Sequence, residues 1–441
     1  MALEWHYRGD DGQQQGPISS AQLKQLADSG RLLPTALVWT QGMQQWAAAS
    51  SVKNLFNAAA PAMTPASAPL SGTAQSGPYG GSAQTGSTHT NGWPAANVPV
   101  DAASARPATQ TAGQSPREPL VQGPMTAERE LYERIQTEIR KIYVGQDELV
   151  LGTLVALFSG GHVLIESVPG LGKTLFVRTL GRVLGCQFGR IQFTADLMPS
   201  DITGSPIFDM KTQDFRFHAG PVFTQLLLAD EINRSPAKTH AALLEIMQEY
   251  RVTVDNTTHK LDRPFLVLAT QNPIESEGTY NLPEAQLDRF MFKMMVEYPN
   301  AAEEAEILRM HSLQQDLDRR LTDDVKTVTS PHEIMAVSAR CSQIRVDEKL
   351  IHYINTLVRL TRQWPQFHLG ASPRAGIALM QGARTLAAFQ GRDYAVPDDV
   401  VHIALPALRH RVILNAEAEV EGRLVDELLT ELIRSVEVPR L

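Results

Sequence analysis

Eight residues, Ser167-Val168-Pro169-Gly170-Leu171-Gly172-Lys173-Thr174, match the phosphate-binding pattern G-x-x-x-x-G-K-[ST] except at its first place, where serine stands for glycine. Such a loop aims backbone N–H groups and a helix N-terminus at phosphate oxygens. Gly170 and Gly172 would let the backbone approach closely. Lys173 would place a point charge at the β- and γ-phosphates, and Thr174 would offer a hydroxyl to Mg2+. The first place mainly begins the turn, so Ser167 is expected to permit binding without contributing a donor to it.

Further along, the apolar run Leu226-Leu227-Leu228-Ala229 ends in Asp230-Glu231. A buried strand ending in two carboxylates puts them at the carboxyl edge of a sheet, where α/β proteins bind ligands. Asp230 would hold Mg2+ through water, and Glu231 would orient and polarise an attacking water, since phosphoryl transfer needs positioning and charge stabilisation. Asn272, just after the apolar run 265–269, could hold that water against Glu231; read locally, Asn272-Pro273 is a turn initiator. Two arginines complete the set. Arg374 follows Ser372, an expected N-cap, and Pro373, an expected first helical residue; a cation there opposes the helix dipole and suggests a negative partner such as a γ-phosphate. Arg289 is expected to follow a helix and precede a strand beginning at Phe290. It would serve as an arginine finger toward a neighbouring subunit, or form a structural pair with Asp288 or Glu284.

The elements that must position these residues are legible. From residue 125 apolar strands alternate with helical patterns: a strand at 162–165, a helix from Lys173, and strands at 225–230 and 265–270. That alternation implies a parallel sheet covered by helices on both faces. Beyond Pro299 the strand pattern fades and helical periods take over, which reads as a separate all-helical domain over 301–441. The segments 206–217 and 250–261 alternate apolar and polar residues about a turn, as hairpins do.

Residues 57–124 hold ten prolines and four charges among Ala, Ser, Thr, Gly and Gln. Such a segment cannot bury enough apolar surface to offset its ordering entropy, so it reads as a disordered linker spanning roughly 45 Å. Residues 1–56 form a small aromatic unit in which Trp5 and Tyr7 alternate as on a strand. Ser19 or Ser20 caps a helix through Leu23 and Leu26, Leu37-Val38-Trp39 is a second strand, and Trp46 turns inward.

Each of the first two segments is neutral, so the net charge of −8 belongs to residues 125–441. An acidic body argues against a nucleic-acid clamp. Two distant cysteines suit a reducing compartment, and no apolar run reaches the ~18–20 residues of a membrane helix. A cytoplasmic protein without membrane insertion is expected.

Residues 125–441 resemble a MoxR-family AAA+ ATPase over nearly their whole length, on 194–255 and on 269–290, the stretch that ends Leu287-Asp288-Arg289-Phe290. The resemblance implies an AAA+ core over 125–300 with a helical lid over 301–441, and a Mg-ATP site at Lys173, Thr174, Asp230, Glu231, Asn272, Arg289 and Arg374. It adds adenine contacts from Val144, Gly145 and Gln146, and a loop in which Val168, Pro169, Leu171 and Leu175 accompany the glycines. It also implies a ring oligomer, expected to be a hexamer, a von Willebrand factor A domain partner, and a chaperone-like role in maturing protein complexes. Family members often lack glycine at the first loop position. Residues 1–56 resemble the bacterial GYF domain, which implies docking of a proline-rich peptide or protein. The alternatives are a slow nucleotide-switched scaffold and, against the charge, a nucleic-acid translocase.

Overall fold

The structure, a computed structural model, describes residues 4–8, 14–19, 23–24, 26–27, 32, 37–40 and 47–49, and residues 122–440 apart from 169, 212, 273–279, 281 and 313–316. The chain forms two compact units, Met1–Ala105 and Arg106–Leu441.

In the first unit Glu4–Arg8 (β1), Gln14–Ser19 (β2), Leu37–Thr40 (β3) and Ala47–Ala48 (β4) make an antiparallel sheet in the order β2-β1-β3-β4. β2 was not expected from the pattern. It contains Pro17, and it tolerates a missing N–H because it lies at the sheet edge. Ser19 therefore ends a strand rather than capping a helix, and Ser20 lies outside the described residues. Leu23, Ala27, Leu32, Val38 and Ala49 are buried. Trp46, the side chains of Trp5 and Tyr7, and residues 50–121, which hold all but the last three residues of the expected linker 57–124, also lie outside the described residues; of those three, Gly123 donates its backbone N–H to the Gln390 carbonyl at 2.7 Å.

The second unit begins with helices Ala127–Arg140 (α1) and Asp147–Ser159 (α2), then alternates strand and helix: Val163–Ser167 (β5), Lys173–Leu184 (α3), Phe188–Gln192 (β6) and Pro199–Thr203 (α4). A hairpin of Gly204–Asp209 (β7) and Asp214–Ala219 (β8) precedes Leu226–Asp230 (β9) and Ala237–Glu249 (α5). A second hairpin, Arg251–Val254 (β10) with Thr257–Lys260 (β11), precedes Leu266–Gln271 (β12), Glu284–Leu287 (α6) and Phe292–Val296 (β13). Five strands pair in parallel in the order β13-β5-β12-β9-β6.

Side chains alternate between the two faces of this sheet as the strand period requires. Val163, Ile165, Leu226, Leu228, Leu266 and Leu268 enter one hydrophobic cluster, and Leu164, Leu227, Ala229, Val267 and Ala269 the other. Both faces are covered, which is why these strands read as unbroken apolar runs.

The first cluster also takes in Ile334, Leu350, Leu386, Val400 and Leu429 from the region after residue 300. That region is therefore packed onto the sheet rather than standing apart. It is not wholly helical either: Phe367–Leu369 (β14) pairs antiparallel with Ile413–Leu414 (β15) between helices that include Pro373–Phe389 (α7) and Pro397–Leu408 (α8). Two core boundaries also differ from expectation. β5 runs to Ser167, and β13 starts at Phe292, leaving Phe290 and Met291 in the turn before it.

His162 precedes β5 and is buried. The backbone N–H of Val267 donates to its Nδ1 at 3.1 Å, so Nε2 carries the proton and donates to the Met247 carbonyl at 3.0 Å. Burial pushes its pKa down to about 4. The unfolded chain takes up this proton from pH ~6.5, the native chain only near 4, so the contribution is whole above 6.5 and lost as pH falls through that window. The loss amounts to about 3 kcal/mol. Denaturant unfolding at pH 7 and pH 4.5 is expected to show a shallower decline for His162→Phe than for the parent, although the variant is less stable at pH 7.

Candidate functional site

The loop after β5 turns through Gly170 and Gly172, whose φ values of 88° and 71° lie in the left-handed region. Gly172 is the N-cap of α3, and a Cβ on Gly170 would meet no atom within 4 Å, so open space lies beside Gly170. Lys173 and Thr174 are the first two residues of α3, and Leu171 and Leu175 pack against the core. Pro169 lies outside the described residues. Ser167 is buried at the strand's end, and its Oγ accepts from Lys173 Nζ at 2.9 Å. Its hydroxyl thus holds the lysine that would meet the phosphate, a contact the pattern did not predict. Burial pushes the Lys173 ammonium below the ordinary lysine pKa, against the pull of Asp230 and Glu231.

The segment 144–146 lies beside this loop. Tyr143 reaches the Leu171 carbonyl with its hydroxyl at 3.5 Å, and its ring lies 5.0 Å from that of Phe176. Gly145 turns at φ 84°, and Gln146 Nε2 donates to the Glu297 carbonyl at 3.0 Å. Val144 is half-buried between them.

At the end of β9 Asp230 is buried, and Glu231 adopts a left-handed φ of 55°. That conformation is uncommon for a residue with a side chain, and neighbouring groups maintain it. Thr270 on β12 donates its hydroxyl to Asp230 Oδ1 at 2.6 Å and accepts from the Glu231 backbone N–H at 2.9 Å. Gln192 Nε2 donates to Glu231 Oε2 at 2.7 Å, and Arg234 Nε approaches the same oxygen at 3.0 Å. Arg190 donates to Asp230 Oδ2 and to Gln192 Oε1, both at 2.7 Å. Sequence reasoning missed Thr270, Gln192 and Arg190, since only the pairing of β6 and β12 on either side of β9 brings them to the carboxylates. Asn272 follows β12 at the same edge and is buried.

The structure does not bring the two arginines to this edge. Arg289 and Arg374 line a common cavity of about 340 Å3 with Gly160, Gly161 and His162, which precede β5, whereas the phosphate loop follows it. A strand of that length separates the two edges by roughly 16 Å. Arg289 donates Nη1 to the Leu244 carbonyl at 2.8 Å. Asp288 does not pair with Arg289; Arg411 takes it at 2.8 Å. Arg374 stands at the start of α7, whose N-cap is Ser372 and whose first residue is Pro373. Its nearest carboxylate is Asp288, at 4.0 Å.

The first edge suits a nucleotide with its metal. Thr174 and Asp230 are hard oxygen donors of the kind Mg2+ takes, an ion that keeps most of its shell as water and phosphate oxygen. Accordingly, no group of three or more metal-ligating side chains is needed, and none occurs among the described residues. Among those residues no helix is long and apolar enough to cross a membrane.

The family described as "ATPase family associated with various cellular activities (AAA)" matches residues 162–292, an AAA lid domain matches 359–432, and GYF domain 2 matches 5–55. The protein YeaC of Bacillus subtilis is 43% identical over 68% of this chain and 92% of its own length. "Chaperone MoxR1" of Mycobacterium tuberculosis is 41% identical over 72% and 85%. A crystal structure of a putative ATPase from Cytophaga hutchinsonii superposes with a TM-score of 0.66 at 41% identity, covering 71% of this chain and 96% of that one.

Thr270 ties both carboxylates together, so Thr270→Val is expected to leave nucleotide affinity within about threefold and to slow turnover tenfold or more, since an unpartnered buried donor costs about 1–3 kcal/mol. Thr270→Ser, which keeps the hydroxyl, should retain most of the rate. Equal losses in binding and turnover would place Thr270 in the ground-state contact instead.

Proposed function

The chain belongs to the MoxR family of AAA+ ATPases, and on that premise we propose that it hydrolyses Mg-ATP in a ring and uses the cycle to remodel or mature a protein complex. The observation that carries this reading is the convergence of Lys173, Asp230, Glu231 and Asn272 on one sheet edge, with Glu231 held in a left-handed conformation by Thr270. The glycine loop and Lys173 bind the phosphates. Thr174 and, through water, Asp230 would hold Mg2+, which would supply positive charge against the phosphate oxygens. Glu231 orients the attacking water, and Asn272 holds that water on its other side. Val144, Gly145 and Gln146 take the adenine.

Arg289 and Arg374 act on a nucleotide bound by the neighbouring subunit. Their place at the far edge supports this: both point into a cavity that their own phosphate loop does not reach. Stacked head to tail, such subunits present one edge to the other, which closes a ring rather than a two-fold dimer. A hexamer with a von Willebrand factor A domain partner is the assembly we propose, residues 301–441 acting as the lid. Residues 5–55 recruit a client through a proline-rich segment, after the GYF match.

Lys173→Ala is expected to abolish nucleotide binding, whereas Glu231→Gln should bind normally and fail to hydrolyse. Hydrolysis at the parent rate by Glu231→Gln would sink the catalytic assignment.

Arg289→Ala and Arg374→Ala should each bind ATP and hydrolyse it poorly, Arg289→Ala by roughly a thousandfold. Mixing either with Glu231→Gln should restore activity, because some interfaces then join an intact arginine to an intact Glu231. Absence of rescue in demonstrably mixed rings would count against action across the interface.

A further inference from the structure

The cavity shared by Arg289 and Arg374 is bounded by a third arginine that no catalytic role requires. Arg411, just beyond α8, is buried, and its guanidinium is fully engaged. Nε donates to Asp288 Oδ1 at 2.8 Å. Nη2 donates to the carbonyls of Asp288 at 3.3 Å and Phe290 at 2.6 Å, the two residues flanking Arg289. Nη1 reaches the carbonyls of Met291 and Ala407. One planar cation therefore grips the backbone on both sides of Arg289. Asp288, held by that cation, accepts in turn from Ser372 Oγ at 2.8 and 3.0 Å. Ser372 Oγ also accepts from the Arg374 backbone N–H at 3.1 Å, so it fixes the helix start that carries Arg374.

We propose that the Arg411–Asp288–Ser372 chain is a positioning device that sets Arg289, from the core, and Arg374, from the lid, at one fixed separation to meet a neighbouring subunit's nucleotide together. The inference rests on the reading that these two arginines act across the interface. Three observations favour it over a pair that only stabilises the fold. Arg411 spends three of its bonds on residues adjoining Arg289. Asp288 joins core to lid at the one point where both arginines emerge. And Arg374 Nε lies 4.0 Å from the same Asp288 carboxylate, which offsets the repulsion of three nearby cations. Gln248 on α5, with its amide turned to accept, takes both terminal nitrogens of Arg374 at 3.1 Å, completing its orientation.

Two variants test this in the full-length protein, with Arg289→Ala as the control. Ser372→Ala cuts the tie to Arg374 and spares the buried pair; Asp288→Asn removes the charge and keeps an acceptor for Ser372. Both are expected to bind a fluorescent ATP analogue within about twofold of the parent and to lose about tenfold to a hundredfold in single-turnover hydrolysis, the scale of a small misplacement. Both should recover activity when mixed with Glu231→Gln, as Arg289→Ala does, and Ser372→Thr should keep the parent rate. If Arg289→Ala is rescued but Ser372→Ala hydrolyses like the parent, the positioning role is overturned and the interface reading survives. Rate loss in Ser372→Ala that mixing does not repair also overturns it, since a fold defect would be confined to the variant subunit. If Arg289→Ala itself is not rescued, both readings fall.

Discussion

All five strands of the sheet run in one direction, and most of the chemistry follows from that constraint. In a parallel sheet each connection returns through a helix, so strand C-termini and helix N-termini gather at one edge. At that edge the dipoles of α3 and the loop N–H groups favour negative charge. The opposite edge receives strand N-termini and the C-termini of the sheet helices, while Arg374 there stands in the first turn of α7, against that helix's dipole. Lys173, Thr174 and the two carboxylates occupy the first edge, and Arg289 and Arg374 the second. A chain with its anion site on one edge and its cations on the other cannot satisfy both alone. In the ring proposed above, a head-to-tail neighbour would.

Charge balance at the phosphate edge explains the residues around the carboxylates. Asp230 and Glu231 are adjacent, and Asp230 is buried, so their repulsion must be offset before a nucleotide arrives. Arg190, Arg234 and Lys173 supply the opposing charge, with Gln192 bridging Arg190 to Glu231. Lys173 is tied to Ser167 rather than to a carboxylate. Its ammonium therefore remains close to the loop, and the serine at the first loop position is one of the contacts that keeps it there. A glycine would leave the lysine one partner fewer.

What the sequence could reveal divides along the same line. Local signals were sufficient for the glycine loop, the acidic strand end, both hairpins and the cap at Ser372, because each is written in consecutive residues. Thr270, Gln192 and Arg190 carried no such signal. Their relevance depends on strand order, and β6 and β12 flank β9 although each lies some forty residues from it along the chain. The location of Arg374 was hidden for a similar reason: a helix-start cation announces an anion but not which edge, or which subunit, provides it. Asp288 stood, with Glu284, only as an alternative partner for Arg289, and Arg411, far along the chain, claims it. β2 was missed because Pro17 argues against a strand unless the strand is known to lie at an edge.

The helix α5 runs from the carboxylates to the cavity of the two arginines. α5 starts shortly after Glu231 and Arg234 and ends at Glu249, a rod of about 20 Å at 1.5 Å per residue. Its Leu244 carbonyl holds Arg289, its Gln248 faces Arg374, and the hairpin β10–β11 leaves from its end through Tyr250, at a left-handed φ of 52°. His259 on that hairpin stacks on Phe217 of the other hairpin with ring centroids 4.0 Å apart. A shift of the segment following Glu231 therefore has a stiff route to both arginines and to both hairpins within one subunit. On the proposed reading, in which those arginines meet the next subunit's nucleotide, the state of one site would reach its neighbour and the hairpins through the same rigid body. Coupling between sites and coupling to a client then have one mechanical origin.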